Sequence, residues 1–264
     1  MSAQFVTSRD GTRIAYAIEG AGPAVILIDG AFCSRAMGPM PKLAAELVTR
    51  GLRVLTYDRR ARGASGDTRP YAVEREIEDI DALIGAAGGR AYLYGISSGA
   101  ALALSAAAAG LPIDGVVLYE PPFMVGPHAR QVPADHTATL TRMIAEDRRA
   151  DAVTYYLCDI IGVPRFMPYL FRFTPLWRKL KAAAPSLPYD SAVMGDFALP
   201  TARAAAVRVP TLVLDGEKTW PMLRDAASAL AQAIPGARAR SLPGQTHNVA
   251  ARAIAPILAS FIKA

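Results

Sequence analysis

The residues of this 264-residue chain best placed to do chemistry lie at Gly95-Ile96-Ser97-Ser98-Gly99. The apolar run Ala91-Tyr92-Leu93-Tyr94 leads into them, and the alanine-rich run Ala100 to Ala109 leads away. A strand, a sharp turn and a helix are expected in that order. So tight a turn strains its central residue and leaves no room for neighbouring side chains, a demand that Gly95 and Gly99 meet by lacking a Cβ. The G-x-S-x-G spacing makes Ser97 the exposed hydroxyl. Ser98 would contribute its backbone N–H, at a helix N-terminus where partial positive charge stabilises an oxyanion. A serine hydroxyl is a weak nucleophile until a base takes its proton, and histidine suits that task at neutral pH. The chain has three histidines: His128, His136 and His247.

The elements that must position these groups are legible in the hydrophobic pattern. Phe5-Val6-Thr7 and Ile14 to Glu19 flank the turn dipeptide Asp10-Gly11 and read as a hairpin. Ala24 to Ile28 is a continuous apolar run, as in a strand buried on both faces, and Arg53 to Tyr57, Gly115 to Glu120 and Val209 to Gly216 repeat that character. Pro121-Pro122 ends the third of these. Helices are expected at Met40 to Arg50, Val73 to Ala87, Met222 to Ile234 and Ala250 to Lys263, with a short strand near Ala237 to Leu242. The alternation predicts an α/β fold: a mostly parallel sheet with helices on both faces. From Phe123 to about Pro200, strand-like runs give way to helical segments broken by prolines. Residues 1–122 and 201–264 are therefore expected to form the core, and 123–200 a helical cap inserted between two sheet strands. The cap is rich in rings: Tyr155, Tyr156, Phe166, Tyr169, Phe171, Phe173 and Trp177. Most are expected in its own core and a few against a substrate. Its Arg165, Arg172, Arg178 and Lys179 could meet a carboxylate or phosphate, or simply face water.

Composition bounds the partners. The chain is 52% hydrophobic and 20% charged, enough apolar residues for a large core. The net charge of +6 comes from arginines dispersed along the chain, which argues against nucleic acid as a partner. No apolar stretch approaches a membrane span, and residues 1–10 lack the apolar core of a leader, so a cytoplasmic protein with no membrane partner is expected. Cys33 and Cys158 lie far apart and read as thiols, with Cys33 close enough to the proposed site to line it. No cofactor or metal is expected. The expected partner is a small-molecule substrate, and a homodimer stays open.

With this order in place, the chain resembles the α/β-hydrolase family over nearly its whole length. The residues that carry the resemblance are Asp29-Gly30-Ala31 after the early strand, the Asp58-to-Ser65 segment, the Gly95–Gly99 turn and Gly244-Gln245-Thr246-His247. The second of these is similar to the family's D-x-R-G-x-G-x-S segment, with Ala61 at an expected glycine, and is read as a fold marker. The resemblance implies that His247 is the base, in the loop after the last strand, and that serine precedes histidine in chain order. It also implies an acid behind that histidine. The family often places it about three residues past the glycine after the Thr211–Leu214 strand, where this chain has Thr219, which cannot carry the charge. Glu120, Asp215 and Glu217 are the candidates. The oxyanion hole would combine the N–H groups of Ala31 and Ser98, with Phe32 next to Ala31 in the substrate-binding loop. Asp29 stands where the family commonly has histidine. It either ties down that loop or relays a proton. The implied function is a serine hydrolase that cleaves a small to medium, partly hydrophobic ester or thioester through an acyl-enzyme. The alternatives are non-hydrolytic chemistry (lyase or cyclase) and non-catalytic small-molecule binding on the same fold.

Overall fold

A computed structural model describes residues 4–264, so the reading of the first ten residues as leader-free falls partly outside the described residues. Eight strands form one sheet: β1 (Gln4–Thr7), β2 (Arg13–Glu19), β3 (Ala24–Ile28), β4 (Arg53–Tyr57), β5 (Ala91–Ile96), β6 (Ile113–Tyr119), β7 (Thr211–Gly216) and β8 (Arg238–Leu242). Their order is β1-β2-β4-β3-β5-β6-β7-β8. The β1–β2 and β2–β4 pairs are antiparallel, and all the others are parallel.

The apolar runs are continuous because both faces of the sheet are covered. In β3, Val25 and Leu27 pack with α1 (Met40–Val48) and α11 (Ala251–Lys263). Ile26 and Ile28 join the opposite layer, built from α2 (Val73–Ala87), α3 (Ser98–Ala108) and α10 (Pro221–Ala233). The parallel strands β3 to β8 all run the same way. The segments that follow them, carrying Asp29, Asp58, Ser97, Glu120 and His247, therefore leave the sheet at one edge, the usual location for ligands in an open parallel sheet.

The chain between β6 and β7 contains no strand. It holds α4 (His136–Ala145), α5 (Arg149–Tyr155), a π-helical turn Tyr156–Ile161, α6 (Met167–Phe171), α7 (Pro175–Ala183), a 3-10 turn Ala184–Ser186, α8 (Leu187–Met194) and α9 (Thr201–Ala206). Helix α8 packs on α2, α3 and α4, which joins this segment to the sheet layer. Tyr156 and Trp177 are buried, but Phe166, Tyr169 and Phe173 face solvent, contrary to their expected place in a helical core. Both cysteines are free thiols. Among the described residues, no helix is long and apolar enough to cross a membrane.

Candidate active site

Ser97 sits between β5 and α3 with φ 58° and ψ −130°, a strained conformation for a residue with a side chain. Close packing enforces it. A Cβ on Gly95 would collide with the Gly99 carbonyl, and one on Gly99 with the carbonyl oxygens of Ile28 and Asp29. A Cβ on Gly30 would stand 3.0 Å from the Ser97 Cβ. The Ser97 N–H donates to the Tyr119 carbonyl at 3.0 Å, tying the turn to β6. Helix α3 begins at Ser98, so its first free N–H groups and its positive dipole end lie next to the Ser97 hydroxyl.

Glu120 follows β6 with φ 46° and is fully buried. Its Oε2 lies 2.7 Å from Nδ1 of His247. The Gly216 N–H donates to its Oε1 at 2.7 Å, and the Thr219 hydroxyl to Oε2 at 2.9 Å. A buried carboxylate needs such donors to stay where it is. The His247 loop is pinned as well. Tyr119 Oη donates to the Thr246 carbonyl at 2.6 Å, and the Lys218 N–H to the Gln245 carbonyl at 2.8 Å. Nδ1 of His247 is thus held on a carboxylate while its ring stays partly exposed.

Of the other acid candidates, neither touches His247. Asp215 accepts from the Ser241 hydroxyl at 2.9 Å and lies 3.8 Å from the Arg224 guanidinium. The two differ in placement: Asp215 is within β7, in register with Ser241 of β8, whereas Glu120 lies past the end of β6. Glu217 accepts the Gly244 N–H at 2.7 Å and so braces the loop that carries His247. Thr219, at the position where the resemblance implied an acid, donates to Glu120.

The loop after β3 is held from beneath by arginines. Arg59 Nη1 donates to the Asp29 carbonyl at 3.3 Å, and Arg62 Nη1 to the carbonyls of Gly30 at 2.6 Å and Cys33 at 3.2 Å. These bonds fix the peptides on either side of Ala31 and Phe32. The Phe32 ring stands edge-on to Tyr156, with centroids 5.4 Å apart. Both arginines also bind Asp190 of α8, at 2.7 and 2.6 Å. Asp190 accepts the Ser98 hydroxyl as well, at 2.7 Å. One buried carboxylate therefore joins the Ser98 end of α3 to the arginines that hold the Ala31 loop. Burial alone would push the Asp190 carboxyl up, but the Arg62 and Arg59 guanidinium groups outweigh it and keep the carboxyl below its ordinary range. Sequence reasoning missed Asp190, set Thr219 aside as unable to carry the charge, and read Arg59 and Arg62 only as parts of a fold marker. The one available signal for Asp190 is that it is the first acid after Asp159 in a basic stretch.

Asp29 makes neither expected contact. Its carboxyl accepts no hydrogen bond among the described residues, and its Oδ1 is buried without a partner. The loop is tied down by the arginines acting on its carbonyls. Burial pushes the Asp29 carboxyl up to about 8 against the pull of Arg62 and Arg59, whose charges are already matched by Glu76 and Asp190. The surroundings of Asp29 thus favour the protonated acid over the carboxylate. Burial also pushes the neighbouring Cys33 thiol up to about 12, leaving it a poor nucleophile.

Comparison with known proteins gives a consistent result. A model of the Alpha/beta hydrolase family matches residues 25–258. An alpha/beta hydrolase from Sphaerobacter thermophilus is 49% identical, with 98% of this chain and 99% of that one covered and a TM-score of 0.91. An esterase from Exiguobacterium antarcticum is 17% identical over the full length of both chains, with a TM-score of 0.75. An enol-lactonase from Burkholderia xenovorans is 23% identical over 99% of this chain and 100% of that one, with a TM-score of 0.70. At these identities the last two show a shared fold. A search of curated proteins gave no match.

Proposed function

Because the chain belongs to the alpha/beta hydrolase family, we propose that it is a serine hydrolase acting on a small to medium, partly hydrophobic ester or thioester. Ser97 attacks the carbonyl carbon. His247 takes the serine proton through Nε2 and returns it to the leaving group. Glu120 holds the ring in the tautomer with Nδ1–H and stabilises the imidazolium that forms. The Ala31 and Ser98 N–H groups hold the oxyanion of the tetrahedral intermediate. Water, activated by His247, then releases the acyl group from Ser97. The helical segment 123–200 acts as a cap that shields the reaction from bulk water, with Phe32 and Tyr156 offering an apolar wall.

The observation that carries this reading is the 2.7 Å contact between His247 and the fully buried Glu120. A buried carboxylate fixed by two other donors and aimed at a half-exposed imidazole is costly to build, and it is useful when that imidazole must take up a proton. The strained Ser97 supports the same reading, because such strain persists where function needs it.

Intact mass after incubation with a fluorophosphonate tests it. One adduct is expected on the parent protein and none on Ser97→Ala, with turnover of model esters lost in the same variant. Folded parent protein that takes up no adduct would overturn the acyl-enzyme mechanism and leave non-hydrolytic chemistry or ligand binding on this fold.

A further inference from the structure

Helices α6 and α7 are unusual in how little they bury. Within its own span α6 buries only Pro168, and α7 only Trp177. Phe171 and Leu180 pack partly buried against the core, while five large apolar side chains in and beside the two helices face outward: Phe166, just before α6, is 62% exposed, Tyr169 59%, Leu170 63%, Phe173, between the helices, 97% and Leu176 45%. Seven large apolar side chains are exposed among the described residues, and five of them are these, so the apolar surface is concentrated in one crest. Exposed apolar residues grouped in this way mark an interaction site more often than a neutral surface.

The charge of the same stretch is one-sided. Between Asp159 and Asp190 the chain carries Arg165, Arg172, Arg178, Lys179 and Lys181 and no acid. Arg165 is paired with Asp159 at 2.6 Å. The other four have no carboxylate within ion-pair distance among the described residues. The Arg172 guanidinium instead lies 4.6 Å over the Tyr169 ring, which keeps a cation alongside an exposed aromatic.

We propose that the α6–α7 crest is a docking surface for an anionic lipid bilayer. The rings of Phe166 and Phe173 and the side chain of Leu170 would enter the headgroup–acyl boundary, while Arg172, Arg178, Lys179 and Lys181 meet lipid phosphates. Cations interleaved with protruding rings fit a soft, negatively charged interface. A folded protein partner would need a preformed socket for each ring, whereas a bilayer surface takes up protruding rings without one. The contact is shallow and needs no spanning helix, and it departs from the expectation of no membrane partner drawn from the sequence.

Flotation with phosphatidylcholine vesicles, with and without phosphatidylglycerol, tests the proposal, together with emission from a Phe173→Trp variant. The protein is expected to float with the anionic vesicles and not with the neutral ones, and added salt should release it. Phe173→Trp emission should shift to the blue when anionic vesicles are added. A triple change, Phe166→Ser, Leu170→Ser and Phe173→Ser, and a double charge reversal, Arg172→Glu and Lys179→Glu, should each weaken binding about tenfold or more. These side chains are exposed, so unchanged melting of both variants is the control for folding. Absence of flotation by the parent protein would overturn the proposal. So would flotation without a blue shift, which would mean attraction by charge alone, of the kind any acidic partner could offer. A doubled mass in light scattering that reverts with the apolar triple change would assign the crest to a second copy of the chain instead.

Discussion

Asp29→Asn should remove a pH dependence that the native fold imposes on itself. The Asp29 carboxyl titrates near 3.8 in the unfolded chain and is pushed up to about 8 by burial in the folded one. Between those values the folded protein keeps a proton that the unfolded chain has already released. Loss of that proton favours unfolding, so stability falls as pH rises from about 4 towards 8 and is level beyond. One proton costs ~1.4 kcal/mol per pH unit, so the parent should lose roughly 2.8 kcal/mol between about pH 5 and pH 7 through this residue alone. Asparagine keeps the shape and cannot ionise. Guanidinium denaturation of parent and variant across that range isolates the effect, because the other titrating groups cancel in the difference. The gap should move in favour of the variant by the stated amount as pH rises. Parallel curves would refute the reasoning, since they would show Asp29 ionised in the folded protein and some unrecognised donor beside it.

Other variants probe the wiring of the site. If Glu120 orients His247 as proposed, Glu120→Gln should lower kcat/KM by about 10³–10⁴-fold, as loss of the orienting carboxylate does in serine triads. Asp215→Asn should stay near the parent rate, because Asp215 contacts Ser241 and Arg224; steady-state ester hydrolysis by both variants decides between them. Asp190→Asn should cost about 3–5 kcal/mol in guanidinium denaturation, since Arg59 and Arg62 would be left with one buried carboxylate fewer. Ser98→Ala keeps the backbone N–H and removes only the bond to Asp190. Melting should be nearly unchanged while kcat falls with little change in KM, the pattern of a donor that has lost its alignment to the transition state.

The fold was largely legible because each of its elements obeys local rules. Strands β3 and β6 are apolar at nearly every position since both sheet faces are covered, and the predicted helices around them differ from the observed ones by only a few residues at their ends. The Ser97 turn was legible for the same kind of reason: glycines at 95 and 99 respond to steric demands from residues close in sequence or across one strand pair. The exposed rings of α6 and α7 were misread. An aromatic run at helical spacing has the same pattern whether it faces a core or a partner, and only the tertiary packing, which buries Trp177 and leaves Phe166, Tyr169 and Phe173 in solvent, separates the two.

By itself, the sequence determined the order of strands and helices, the strained turn and the presence of three acids from which one partner for His247 had to come. Which acid it was depended on geometry beyond the local chain. Glu120 and His247 are 127 residues apart and meet only because β6, β7 and β8 are neighbours in the sheet. Asp215, though on the adjacent strand, meets Ser241 and Arg224 instead. The link from Asp190 to Ser98 spans 92 residues and joins a helix of the inserted segment to the start of α3. A charge reveals its partner only when both are desolvated in one place, and that place exists only after the helices have packed. Local sterics and hydrophobic periodicity are written into neighbouring residues, whereas the pairing of buried charges is decided by the tertiary structure that brings them out of water together.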